Sequence, residues 1–305
     1  MEKGFKLQFK AQNNGELLRE AISRQGISKK GLTAIKYNGG KIFVNGEERT
    51  VRYILTQGDT ITLIFPPEEF GEGLIVEHGK LNIIYEDDAL LILEKPPFIN
   101  TIPSREHPTG SIANFLCGYF EEKDIHSTVH IVTRLDRDTS GLVCIAKHSH
   151  IHHLMGLQQK NGLINKQYEA IVHGHLLQGE QSIIAPIGRK ETSIIEREVR
   201  SDGQFSHTDV KVLKIGYAKN GEPVSHVRLK LHTGRTHQIR VHMAYIGHPL
   251  VGDELYGGSR ELFERQALHC VLLEMEHPLT KVKLRFTSKI LEPMKKIMNN
   301  DEMFE

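Results

Sequence analysis

Two runs of branched aliphatic residues closing on a charged segment constrain this chain more than any other feature. Val129, Ile131 and Val132 lead into Thr133-Arg134-Leu135-Asp136-Arg137-Asp138-Thr139-Ser140-Gly141, and Leu142, Val143 and Ile145 lead out. Valine and isoleucine runs broken by a polar, glycine-containing segment predict strand, loop, strand. A loop held at both ends by buried strands can fix a charged side chain in place, which suits it to carry chemistry. Asp136 and Asp138 are its carboxylates. A turn carboxylate more often caps backbone amides or pairs with a neighbour, and for Asp138 that reading, with Arg137 as partner, is the preferred one.

The chain has 305 residues, enough for one large or two smaller domains. Its composition is that of an ordinary soluble protein. No stretch approaches the run of about 18 apolar residues that a membrane span needs. Met1-Glu2-Lys3-Gly4-Phe5-Lys6 lacks the apolar core of a signal peptide, so a cytoplasmic, membrane-free protein is expected. Cys117, Cys144 and Cys270 stand far apart in apolar company, which points to buried, reduced thiols. Net charge is only +1, but residues 1–65 hold eleven Lys/Arg against six Asp/Glu. A basic front end on a mildly acidic body suggests that the first segment meets a polyanion.

That front end reads as a unit. Leu17, Leu18, Ala21 and Ile22 share one helical face within residues 15–24. Ser28 is placed to cap a second helix carrying Lys29, Lys30, Leu32, Ile35 and Lys36. Lys41 to Val44 reads as a strand ending in an Asn45-Gly46 hairpin turn, and Gly58-Asp59 precedes a second alternating strand. In this order the elements resemble the small RNA-binding module first described in ribosomal small-subunit protein four. The resemblance implies that Lys29, Lys30 and Lys36 lie on an RNA-binding side. Pro66-Pro67-Glu68-Glu69-Phe70-Gly71-Glu72-Gly73 has the composition of a linker. The expected division is a module over 1–65, a linker over 66–80, a larger domain over 81–295 and a tail over 296–305.

Within the larger domain, Ile83 to Pro96 reads as two strands around the acidic turn Glu86-Asp87-Asp88. Lys166-Gln167-Tyr168-Glu169-Ala170 is an alternating strand with Tyr168 on the face of Ala170 and Val172. Residues 204–232 form an expected hairpin around Asn220-Gly221. It leads to Thr233-Gly234-Arg235-Thr236-His237-Gln238-Ile239-Arg240-Val241-His242, a turn followed by a helix that runs until Gly247. His148, His150, His152 and His153 cluster, but no carboxylate or cysteine stands nearby to complete a metal site.

Arg134-Leu135-Asp136 with Thr139-Ser140-Gly141 in phase, then Lys-x-Tyr-x-Ala, then the Gly234–His242 motif, resemble the RluA family of RNA pseudouridine synthases. The resemblance runs from about residue 81 to 290. Two departures stand out: Thr133 replaces the family's usual histidine, and Ile102-Pro103 replaces a His-Pro. The implied fold is α+β: a mixed, mostly antiparallel bent sheet flanked by helices, with a central cleft, behind a small N-terminal RNA-binding module. The implied catalytic residues are Asp136, Tyr168 and Arg235, with Arg235 holding Asp136 by its charge and Arg134 filling the space left by a flipped nucleotide.

The implied reaction turns uridine into pseudouridine in RNA, with ribosomal RNA of the large subunit as the leading substrate. Transfer RNA is the other candidate. No atom is gained or lost, so no cofactor and no metal is expected, and a monomer suffices. Two readings of other classes compete with it. One is an RNA-binding or RNA-chaperone protein without catalysis, which the presence of Asp136, Tyr168 and Arg235 together opposes. The other is a glycoside hydrolase using Asp136 and Asp138. The chain has no tryptophan to stack on sugars, and that reading leaves the basic front end unexplained.

Overall fold

The computed structural model describes residues 4–71, 73–177 and 179–298. Its front end is a four-stranded sheet backed by two helices. The elements are β1 (Lys6–Lys10), α1 (Leu18–Arg24), α2 (Lys29–Tyr37), β2 (Lys41–Val44), β3 (Glu47–Glu48) and β4 (Thr60–Ile64), with sheet order β1-β4-β2-β3. Strand β1 goes beyond the sequence expectation. Lys6-Leu7-Gln8-Phe9-Lys10 alternates, but three of its five residues are polar and only Leu7 is fully buried.

Ser28 caps α2 as expected, its Oγ accepting from the Gly31 amide at 3.0 Å. Lys29, Lys30 and Lys36 are exposed on that helix. The Asn45-Gly46 turn sits in the left-handed region at φ 51° and 86°. Asn45 Nδ2 donates to Asp59 at 2.7 Å, tying the two turns together. Leu18, Ile22, Ile35, Leu55, Ile61 and Leu63 fill a core between helices and sheet.

Among the described residues of 66–82 there is no helix or strand, yet they are not a loose tether. Glu68 bonds His130 Nε2 at 2.7 Å and Ser127 Oγ at 2.9 Å, and its other oxygen accepts from the Ser149 amide at 3.1 Å. Burial alone would raise this carboxyl. Its bond to His130, the charge of His148 and the Ser149 contact outweigh burial and hold it well below the usual carboxylate range. Phe5 stacks on His148 and Phe65 on His150, with ring centres 5.0 and 5.2 Å apart. The histidine cluster therefore serves packing: two of its four rings receive the front module.

The larger unit contains β5 (Ile83–Glu86), β6 (Leu90–Lys95), α3 (Ile112–Glu122), β7 (His130–Ile131), β8 (Ser140–Ala146), α4 (Ser149–Lys160) and β9 (Asn165–His173). It continues through β10 (Glu180–Ile184), β11 (Ile187–Arg189), β12 (Arg197–Val199), β13 (His207–Tyr217), β14 (Pro223–Leu231) and α5 (Gln238–Tyr245). It ends with β15 (Leu268–Glu276), β16 (Lys283–Thr287) and α6 (Glu292–Lys295). Ten strands make one sheet along β10-β13-β14-β9-β15-β8-β6-β5, with β16 beside β15 and β7 beside β8. Among the described residues only β15 and β8 run parallel, at His269–Ser140 and Cys270–Gly141.

Gly141 makes that pairing possible. It has φ 113°, and a Cβ there would lie 2.4 Å from the Cys270 carbonyl oxygen. The three cysteines are free and buried. At the far end, Ile297 and Met298 are 3% and 4% exposed, so the tail expected from residue 296 begins inside the core. The rest of that tail, 299–305, lies outside the described residues. Among the described residues no helix is long and apolar enough to cross a membrane.

Candidate active site

Asp136 sits at the tip of the loop between β7 and β8, as the strand-loop-strand pattern requires. The loop is fixed through both its backbone carbonyls and its side chains. Thr133 Oγ1 accepts from the Cys144 amide at 2.9 Å, so this residue staples the loop to β8. Thr101 Oγ1 donates to the Leu135 carbonyl at 2.7 Å. Lys95, wholly buried, spends its three donors on carbonyls of Pro96, Ile99 and Arg137 at 2.8–2.9 Å. Burial pushes its ammonium down to about 7, against the opposing pull of Asp136 and Asp138. Buried Arg265 donates to the Asp138 carbonyl at 2.9 Å. Asp138 itself pairs with Arg137 at 2.8 Å, the structural role preferred from sequence.

Asp136 is paired by Arg240, not Arg235. Arg240 Nη1 lies 3.3 Å from Asp136 Oδ2, and His237 Nε2 lies 3.8 Å from the same oxygen. Arg240 is itself clamped by Asp253, with Nε and Nη2 each 2.7 Å from a carboxylate oxygen. Its face lies over the Tyr256 ring at 4.9 Å. Burial would lower this guanidinium, but the Asp253 and Asp136 carboxylates hold its pKa above the ordinary arginine value. Arg235, the residue expected to hold Asp136, is exposed and turns its Nε to the Phe205 carbonyl at 3.2 Å.

The reason lies in where the helix starts. Gln238 opens α5, and His237 precedes it in a left-handed conformation at φ 57°. Arg240 therefore falls in the first helical turn, three residues from His237 and toward Asp136. Arg235 is still in the approaching turn, whose amide bonds the Gln238 side chain at 3.0 Å.

Asp136, Arg240, Tyr168, Lys166 and His237 line a cavity of about 190 Å³, and exposed Arg134 and Arg235 lie along its edge. Tyr168 is 5% exposed and lies on β9 opposite Cys270 of β15. Burial, with the neighbouring Cys270 thiol and Asp136 carboxylate, raises its pKa well above the phenol value. The phenol therefore stays protonated in this cavity. His237 bonds the Tyr256 hydroxyl at 2.8 Å, and burial lowers its pKa against the pull of Asp136.

Sequence reasoning named Asp136 and Tyr168, which line one cavity, and did not name Arg240, Asp253 or His237 beside them. It also missed one group, among the described residues, close enough to share a cation. His207 and His232, stacked at 4.1 Å, both reach Asp209, at 3.0 and 2.5 Å. These three already satisfy one another and stand outside the cavity around Asp136.

Residues 89–245 match the family model described as RNA pseudouridylate synthase. The chain belongs to this family of RNA-modifying isomerases, in its RluA branch. Among relatives, the RNA pseudouridine synthase YjbO of Bacillus subtilis is 47% identical over 284 residues, covering 93% of this chain and 99% of the relative. Ribosomal large subunit pseudouridine synthase D of Pseudomonas aeruginosa is 35% identical over 267 residues, covering 83% and 81%. Among solved structures, human RNA pseudouridylate synthase domain containing 1 superposes with a TM-score of 0.58 at 29% identity, covering 70% of this chain and 86% of that one.

Proposed function

We propose that this enzyme isomerises uridines of large-subunit ribosomal RNA, with Asp136 as the carboxylate that acts on the ribose. The observation that carries the reading is the Asp136–Arg240–Asp253 chain, in which one guanidinium, locked from behind, holds a partly exposed carboxylate at a cavity. The ribosomal target is supported by relatives named for that substrate.

The cavity suits a single-ring base and not a duplex, so the uridine enters flipped out of its stack. Asp136 then faces the sugar. Its carboxylate either bonds to C1′ or stabilises the electron-poor carbon as the C1′–N1 bond breaks. The uracil turns, C5 bonds to C1′, the C5 proton leaves and N1 gains a proton, so nothing is consumed. Tyr168, kept protonated by burial, packs against the base and does not act as the resting base. Arg134 fills the vacated stack, and Arg235 meets a phosphate at the rim. Lys29, Lys30 and Lys36 extend the RNA contact along α2. All of these groups come from one chain, and a monomer carries the site.

Pseudouridine mapping across all cellular RNA, with and without the gene, tests the target. Loss of specific large-subunit sites is the expected result. Loss confined to transfer RNA would overturn the ribosomal assignment.

A further inference from the structure

Lys166 lies two residues before Tyr168 on the same face of β9, paired in register with Leu231 and Leu273 on the flanking strands. Its ammonium reaches the cavity wall, 3.5 Å from where a Cβ on Gly234 would stand. The contrast with Lys95 is instructive. Lys95 places all three of its donors on carbonyls. Lys166 Nζ forms no hydrogen bond or ion pair with any described residue. Burial lowers its pKa. A half-buried cation without partners is costly and gains most from a polar ligand that enters beside it.

The other cations of the cavity are committed or peripheral. Arg240 is held by Asp253 and Asp136, while Arg134 and Arg235 are exposed at the edge. Reaction chemistry states what the remaining one can do. When the C1′–N1 bond breaks, its electron pair stays on N1 and spreads over O2 and O4 of the ring. Asp136 compensates the sugar, and a second charge must compensate the base. Ammonium donors already in place in a poorly hydrated cavity stabilise such a developing anion strongly.

We propose that Lys166 is a catalytic residue that donates to a uracil carbonyl oxygen and stabilises the base anion between cleavage and re-attachment. This inference rests on the uridine isomerisation reading above. In this role Lys166 acts as a hydrogen-bond donor in its ammonium form and passes no proton to the base. The bonds broken are C1′–N1 and C5–H, those formed are C1′–C5 and N1–H, and the base turns while its charge is held.

The test uses full-length protein and transcripts of the host ribosomal and transfer RNAs, made either with [5-³H]uridine or with 5-fluorouridine. Tritium release reports completed isomerisation of uridine, while loss of 5-fluorouridine from nuclease digests reports cleavage and re-attachment of a base that keeps its C5–F bond and has no C5 proton to shed. Fluorine stabilises the uracil anion, so the need for Lys166 should shrink. Lys166→Met should slow single-turnover tritium release at least 30-fold while RNA affinity stays within threefold. Its deficit on 5-fluorouridine should fall below fivefold, and Lys166→Arg should recover to within tenfold of wild type. Lys166→Gln, also neutral, replaces the methionine variant if that one fails to fold.

Wild-type release within threefold for the neutral variant would overturn the proposal. So would an equal deficit on both bases, which would make Lys166 a wall of the cavity. Release from no transcript by the wild-type protein would instead bring down the isomerisation reading itself.

Discussion

Asp136 and Arg240 differ in how far a conservative change should be tolerated. Asp136→Asn keeps the shape and removes the charge, so isomerisation should vanish while RNA affinity stays within a few fold. Turnover above about a tenth of wild type would remove Asp136 from its role. Arg240→Lys keeps the charge but cannot grip Asp253 at two points while reaching Asp136. A carboxylate displaced by about 1 Å can lose roughly a hundredfold in rate, so a fall of at least 30-fold, about 2 kcal/mol, is expected. Arg235→Lys should change the single-turnover rate less than about threefold, since exposed charges contribute about 0–1 kcal/mol. The two arginines are a fair measure of what could be read in advance. The strand-bounded loop that carries Asp136 and the strand that carries Tyr168 were legible from their period, while the roles of both residues came from the family resemblance. Arg240 was not legible, because it turns on where α5 begins. His237, three residues earlier, gave no helical cue, because it stands outside the helix in a left-handed conformation. Asp253, thirteen residues further on, gave no local sign of its partner.

Among the elements, the parallel contact of β8 with β15 is the least tolerant. Gly141→Ala would force a Cβ into the Cys270 backbone at a positive φ, a combination expected to cost more than about 3 kcal/mol. A large drop in melting temperature, or failure to accumulate folded protein, is the expected outcome. Near-wild-type melting would show that β15 can move aside. The contact of Phe65 with α4 should respond to pH. Burial pushes the His150 imidazole down to about 4, and its Nε2 has no hydrogen-bond partner among the described residues. Below its free value near 6.5 the unfolded chain binds the proton and the folded chain does not. Stability is therefore lost as pH falls from about 6.5 toward 4, by about 2 kcal/mol at pH 5 for this one group. Urea melts from pH 7.5 to 5 should show a flatter decline in His150→Phe, and an unchanged slope would clear His150 of the effect. Strands with aliphatic runs, and the paired helices of the front module, were readable from period alone. Strand β1 was hidden by its lysines, and the Phe5, Phe65 and histidine contact by being a meeting of distant segments.

For the molecule as a whole, charge on the front module should appear as salt dependence. Replacing exposed Lys29, Lys30 and Lys36 by glutamine removes three charges without touching the core. If all three meet phosphates, the log–log slope of RNA affinity against salt should fall by about two units. An unchanged slope would turn this helix away from RNA. The composition of residues 66–73 suggested a pliant spacer between two independent parts. Glu68, pinned between His130 and Ser149, and the ring contacts of Phe5 and Phe65 make the connection short and fixed. If α2 grips RNA as proposed, these contacts make the protein a gauge, with the distance from that grip to Asp136 set before any RNA arrives. Substrate choice then becomes partly a matter of length. An RNA would then qualify by carrying its extruded uridine at the right span from a graspable helix. Cutting the pin with Glu68→Ala and Phe65→Ala together should widen the set of uridines modified, not merely slow the enzyme.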